Sequence, residues 1–331
     1  MSKRKLTVQQ NRHIHRIQQA RLDRAKKPIA VDTNPSQLGP EQPGQVVANF
    51  GATLLVENEA RHVFRCAARS NLGQIVCGDE VVWQTSGAEE GVISAIMPRR
   101  SLLARPTRHA DSKPVAANTD LILIVVAPQP AIQTALIDRY FAAAELAGIE
   151  AQLVINKVDT LNSQGRTELD RMLGCYAPIG YTTHFVSAHL GLGLTELRAA
   201  LEGRTCVFAG QSGVGKSSLI SYILPDLEIQ VGRLTQASQL GRHTTTVSRL
   251  YHLPSTGAVI DSPGVRDFGL WHWEKSQILS GFKEFRPYVG RCKFSDCAHL
   301  HEPDCALRAA VRDGHISPQR LANYHEIVHS L

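Results

Sequence analysis

Residues 210–218 read GQSGVGKSS, and well upstream residues 156–159 read NKVD. The first stretch fits G-x-x-x-x-G-K-[ST] in full. It leaves an apolar segment, TCVFAG (205–210), and enters SSLISYIL, which has the pattern of an amphipathic helix. Gly210, Gly213 and Gly215 let the backbone curl closely, so that the N–H groups of Gln211, Ser212, Val214 and Ser218 can face a phosphate. Lys216 is expected to reach the β- and γ-phosphates and Ser217 to offer its hydroxyl to Mg²⁺.

The second stretch reads a base. A carboxylate at Asp159 can accept hydrogen bonds from guanine N1–H and the exocyclic amine, with Asn156, Lys157 and Val158 completing the motif. Adenine presents the opposite pattern at that edge and would leave a buried carboxylate unpaired, at a cost of a few kcal/mol. NKVD follows the apolar segment AQLVI (151–155), and ligand sites of α/β sheets lie at such strand ends. Ser187 and Ala188, ending THFVSA (183–188), match the loop that backs the guanine base. GAVIDSPG (257–264) supplies Asp261 to hold Mg²⁺ indirectly, with Gly264 in D-x-x-G spacing to sense the γ-phosphate. GRHTTT (241–246) is the expected switch loop, with Thr245 the candidate Mg²⁺ ligand.

Every part of a GTP site is therefore present, but in rotated order: guanine reader first, phosphate loop later. A sheet domain tolerates this when its old termini are joined and a new cut is made elsewhere, since domain termini tend to lie close together. The reading is a circularly permuted P-loop GTPase domain, α/β with a mostly parallel sheet, because LILIVVA (121–127) and the segments after it alternate with helical runs. Those runs are IQTALIDRYFAAAELAG (132–148), ending at Gly148, then TELDRMLGCY (167–176) and LTELRAALEG (194–203).

Working outward, QVVANF, ATLLVEN, HVFRCAAR, DEVVWQT and EGVISAIM fall between residues 45 and 97 as five short β-rich segments separated by turns. That spacing predicts a small closed barrel of the OB type, a fold that commonly binds oligonucleotides. Phe50, Phe64 and Trp83 fit its core as well as a base-stacking platform. DTNPSQLGPEQPG (32–44) is a linker by composition. Residues 1–28 hold nine Lys or Arg against the single acid Asp23, a net +8, so the rest of this +6 chain sums to −2. Such an arm is attracted to polyanions.

Near the other end, RCKFSDCAHLHEPDC (291–305) places Cys292, Cys297 and Cys305 with an imidazole inside fifteen residues, a Cys₃His set that suits tetrahedral Zn²⁺. Spacing alone leaves His299 and His301 as rivals for the fourth position. Seven cysteines, with 43% hydrophobic and 20% charged residues, describe a folded chain with reduced thiols rather than a disulfide framework. No apolar run is long enough to span a bilayer, so no membrane partner is expected, and the compartment expected is the cytoplasm.

The chain resembles the small ribosomal subunit biogenesis GTPase (RsgA) family from about residue 45 onward. The likeness rests on VCGDEVVW (76–83), GVISAIMPRRSLLARP (91–106), AANTD (116–120), NKVD, GQSGVGKSSLI, GRHTTT, DSPGVRDFGL (261–270) and the cysteine cluster. It implies an OB barrel (44–104) after a basic arm and linker (1–43), a permuted G domain (105–270) and a helical zinc subdomain (271–331). It favours His299 as the zinc ligand. It also implies GTP hydrolysis coupled to late maturation of the small (30S) ribosomal subunit, with rRNA contact and no DNA, in a chain expected to be a monomer. A regulatory GTPase acting on a non-ribosomal protein or tRNA is the alternative, and an RNA-binding module that GTP merely locks is a third reading.

One position departs from many GTPases: Val265 follows Gly264, where a glutamine commonly orients the attacking water. Unaided turnover is expected to be slow, on the order of 10⁻³ s⁻¹ or below. His243 is the candidate to orient water, and Arg242 to neutralise developing charge. Because the D-x-x-G segment runs directly into the zinc unit, loss of the γ-phosphate is expected to reorient that unit.

Overall fold

The computed structural model describes residues 38–330 apart from 52, 71, 107–111, 229, 232–233, 235–246, 263–272 and 274. The basic arm, the run holding Arg242, His243 and Thr245, and Gly264 with Val265 lie outside the described residues.

The five expected β segments form β1 (Gln42–Asn49), β2 (Leu54–Glu57), β3 (Val63–Ala68), β4 (Glu80–Thr85) and β5 (Glu90–Ile96). They pair in the order β1-β2-β3-β5-β4, and β4 returns to β1, closing the barrel. Closure uses up the strand edges that would otherwise stay unpaired. Val46, Val56, Cys66, Val81 and Ile93 fill the inside around Trp83, which is fully buried and donates its indole N–H to the Pro43 carbonyl at 3.2 Å. A Cβ at Gly44 or Gly91 would come within 2.6 Å of that indole, so both positions stay bare. Phe64 packs on the same ring at 4.6 Å. Trp83 is core, not a stacking platform.

A hairpin the sequence reading did not anticipate follows, β6 (Leu102–Pro106) with β7 (Ser112–Ala117). It leads into β8 (Leu121–Val126), β9 (Glu150–Ile155), β10 (Thr183–Phe185), β11 (Thr205–Ala209), β12 (Ser248–His252) and β13 (Ala258–Asp261). These strands lie in the order β10-β9-β8-β11-β13-β12, parallel except for β12 against β13. The phosphate-loop strand β11 is central, flanked by β8 and β13. β12 then pairs with β1 through Ala48↔Arg249 and Asn49↔Ser248, so the sheet runs on into the barrel.

Among the described residues, α1 (Thr134–Leu146), α2 (Ser163–Leu173), α3 (Leu194–Leu201) and α4 (Lys216–Ile223) pack along this sheet. α1 ends as expected, with Gly148 at φ 67° just beyond it. α2 begins four residues before the expected Thr167, because the Asn162 side chain accepts the Gly165 N–H at 2.8 Å and caps the first turn. Gly165 in that first turn masks the signal in the sequence.

Three motifs that carry the family likeness weld the barrel to the G domain. The buried Asp79 carboxylate takes both Arg99 nitrogens at 2.7 and 2.9 Å and the Val76 N–H at 2.8 Å. Asn118 donates to the Gly78 carbonyl at 3.0 Å and accepts from Arg100 N at 2.9 Å, while Arg100 pairs with Asp120. Gly78 sits at φ +92°, where a Cβ would lie 2.2 Å from the Ala117 carbonyl oxygen.

After the G domain come α5 (Lys275–Ser280), a 3-10 turn at Lys283–Tyr288, α6 (Ala306–Arg312) and α7 (Pro318–His329). They dock on α1 through a buried polar cluster. Asp138 of α1 pairs with Arg320, accepts from Asn323 and from the Tyr176 hydroxyl at 2.6 Å each, and Arg320 also grips Glu284 at 2.6 and 3.1 Å. Glu145 of α1 adds Lys283 at 2.9 Å and Arg286 at 2.8 Å. Among the described residues no helix is long and apolar enough to cross a membrane.

Candidate functional site

The loop from Gly210 to Gly215 turns at the C-terminal end of β11 with φ values of 131°, 85° and 92° at its three glycines, conformations that L side chains rarely adopt. A Cβ on Gly210 would stand 2.2 Å from the Val125 carbonyl oxygen, and one on Gly215 would stand 2.2 Å from Asn156 Nδ2. α4 begins at Lys216, directly after the loop, so its free N–H groups and positive end face the concavity. Lys216 Nζ lies back over this loop, donating to the carbonyls of Gly210 at 2.7 Å and Gln211 at 2.5 Å. Ser212, Gly213, Ser217 and Ser218 are exposed beside it, whereas Val214 is buried beneath.

NKVD sits next door, at the end of β9. Asn156 is almost fully buried; its Nδ2 donates to the Val214 carbonyl at 2.9 Å and its Oδ1 accepts the Ala188 N–H at 3.2 Å. One amide thus joins the guanine-reading motif, the accessory loop and the phosphate loop. Lys157, at φ 62°, crosses the same seam, with Nζ donating to Gly213 O at 2.6 Å and Gln129 O at 3.1 Å. Asp159 lies in the 3-10 turn Val158–Thr160 and is exposed. The Ser187 hydroxyl accepts from Leu190 N at 3.1 Å, and its backbone pairs with Leu192, which shapes the loop presenting Ala188.

Asp261 ends β13, two strands from β8, and is exposed at the same edge of the sheet. The sequence reading missed Ser248 and Ser262, whose hydroxyls meet at 2.6 Å. They tie the strand that follows the hydroxyl-rich run to the residue after Asp261, a contact between distant segments that no local pattern signals.

The C-terminal cluster closes on four atoms. Cys292 Sγ and Cys305 Sγ are 3.9 Å apart, and His299 Nδ1 lies 3.5 and 3.4 Å from them. With Cys297 included, all four ligand atoms fall within 4.8 Å of one another. A tetrahedron with Zn–S of about 2.3 Å and Zn–N of about 2.0 Å has edges of about 3.5–3.8 Å, so the donor set fits zinc. His301 is exposed and outside the cluster. Burial holds the His299 imidazole below its usual pKa, which favours the neutral ring a metal needs. The Ala306 N–H donates to Cys292 Sγ at 3.4 Å, a contact that favours thiolate.

A sheet in this order, with its guanine motif preceding its phosphate loop, defines a circularly permuted GTPase. Residues 96–271 match the family model for the RsgA GTPase. The chain is 48% identical to the small ribosomal subunit biogenesis GTPase RsgA of Pseudomonas aeruginosa (strain LESB58), over 100% of this chain and 98% of that one. It is 46% identical to the protein of that name from Haemophilus influenzae (strain ATCC 51907 / DSM 11121 / KW20 / Rd), over 100% and 96%. Among solved structures, YjeQ from Thermotoga maritima superposes with a TM-score of 0.73 at 31% identity, covering 88% of this chain and 99% of that one. YloQ, described as a circularly permuted GTPase, gives 0.70 at 29% identity, covering 88% and 95%. The chain belongs to the RsgA GTPase family.

Proposed function

We propose that this GTPase binds the small (30S) ribosomal subunit in its GTP form and couples hydrolysis to late maturation of that subunit, in the cytoplasm and as a monomer. The observation that carries the nucleotide chemistry is the Asn156 amide, which makes two motifs in inverted sequence order into one site. In this reading Asp159 accepts from the guanine edge, and Ser187 with Ala188 backs the base. Residues 210–218 wrap the phosphates, Lys216 neutralises charge developing on the β–γ bridge, and Ser217, Thr245 and Asp261 would hold Mg²⁺. The metal, when bound, spreads the negative charge of the phosphates. Gly264 senses the γ-phosphate, and His243 orients water once a partner orders its loop. Cys292, Cys297, His299 and Cys305 hold one zinc ion.

The partner is supported by the name shared by full-length relatives and by the charge distribution. The arm brings +8, and a cleft of about 620 Å³ between barrel, hairpin and the ends of β12 and β13 is lined by Arg105 and Lys113, with no acid among the described residues. That combination suits rRNA phosphates. The units are read as arm and linker to 43, barrel to 104, G domain to 270 and zinc subdomain to 331, although β1 already begins at Gln42 and the β6–β7 hairpin lies across the boundary at 104. Co-sedimentation tests the proposal. The chain should pellet with small subunits in a non-hydrolysable GTP analogue and stay in the supernatant with GDP. Equal pelleting with large subunits, or none at all, contradicts it and favours a non-ribosomal partner.

A further inference from the structure

The ligand loop between Cys297 and Cys305 must turn tightly to bring His299 Nδ1 about 3.5 Å from two sulfurs. His299 accordingly stands at φ 62°, a conformation that a residue with a side chain keeps only when its surroundings hold it there. Three backbone N–H groups of the turn converge on one carboxylate: Ala298 donates to Glu302 Oε1 at 2.9 Å, and Leu300 and His301 donate to Glu302 Oε2 at 2.8 and 3.0 Å. Both oxygens are engaged with the turn, and Glu302 is not part of the ligand cluster.

We infer that Glu302 is the positioning residue of the metal centre, an anionic clamp that fixes the 298–301 turn and thereby aims His299 at the metal without touching it. The inference rests on the zinc reading above. Ligand imidazoles are usually oriented by a carboxylate, a backbone carbonyl or a water on their other ring nitrogen; here a carboxylate acts through the backbone on either side of the ligand. The acidic group is held down to about 2 by its own backbone N–H and those of Ala298, His301 and Leu300, so the anion is the form these donors select. A glutamine cannot replace it. Its amide nitrogen would face at least one N–H donor, and only one oxygen would remain to accept. The nearby Lys293–Asp304 pair, at 3.1 Å and well exposed, makes a useful contrast, because its side chains reach none of these N–H groups.

The test is zinc affinity of the full chain by competition with a chromophoric chelator. Glu302→Ala and Glu302→Gln should bind zinc about 10–100-fold more weakly than the parent, whereas Lys293→Met should stay within about twofold. A Glu302→Gln chain that is folded and binds as tightly as the parent overturns the inference. A parent chain that takes up no zinc overturns the zinc reading along with it. Should the variants not fold, the parent decides by amide exchange. The N–H groups of Ala298, Leu300 and His301 should exchange at least about 100-fold more slowly than exposed turns, and exchange at the exposed rate overturns the clamp.

Discussion

At Asn156 one side-chain amide spans three segments, and its neighbour Gly215 has no room for a methyl group. Gly215→Ala should therefore push Asn156 off Val214 and disturb both halves of the site. We expect kcat/KM for GTP to fall on the order of 100-fold, read by phosphate release, with the fold intact by circular dichroism. Asp159→Asn should swap acceptor for donor at the guanine edge and weaken GTP by at least about 100-fold while improving xanthosine triphosphate. Unchanged discrimination in nucleotide competition would remove Asp159 from base reading. The motif residues were legible because residue type and spacing alone encode them. The Asn156 bridge and the Ser248–Ser262 contact were not, since each joins positions that meet only after the sheet forms. His299 was separable from His301 by backbone geometry, which spacing does not contain.

Helix α1 does more than cover the sheet. Asp138, fully buried, accepts from Tyr176 and Asn323 and pairs with Arg320, which is itself buried and joined to Glu284. Removing the guanidinium in Arg320→Met takes the cation from both Asp138 and Glu284, and we expect a loss of about 3–5 kcal/mol in urea unfolding. Pairing it with Asp138→Leu should recover much of that loss. A single variant as stable as the parent would mean that the cluster does not anchor the C-terminal unit. At this scale the long buried strands and the amphipathic helices were legible from periodicity. The β6–β7 hairpin was not, because LLARP and SKPVAA each carry proline and a cation in strands of five or six residues. β12 was likewise hidden. SRLYH mixes polar and apolar residues because His252 turns to Glu57 at 2.6 Å, a barrel residue far away in sequence.

Across the whole molecule, two seams fix the three units. Asn118–Gly78 and Arg100–Asp120 weld barrel to G domain, and the α1 cluster holds the C-terminal unit. Stripping zinc should loosen residues 291–305 while leaving barrel and G-domain amides protected; exchange spreading across α1 would contradict that division. Acid should act on the same loop with a definite sign. Glu302 is depressed in the folded chain, so its contribution is complete above the ordinary glutamate range and is lost as pH falls toward about 2. The permutation and the order of units were legible in the sequence, because motif order survives any folding. The welds were not, although their residues stood in CGDE, PRRS and NTD, because Asn118 meets Gly78 and Asp120 meets Arg100 only once barrel and G domain have folded together.

The most direct test of the central claim is GTP turnover by the full chain alone, with small subunits and with large subunits, with Lys216→Ala as the blank. The account predicts slow turnover alone, a large rise with small subunits only, and none in the variant. Equal stimulation by both subunits, or by neither, would contradict it.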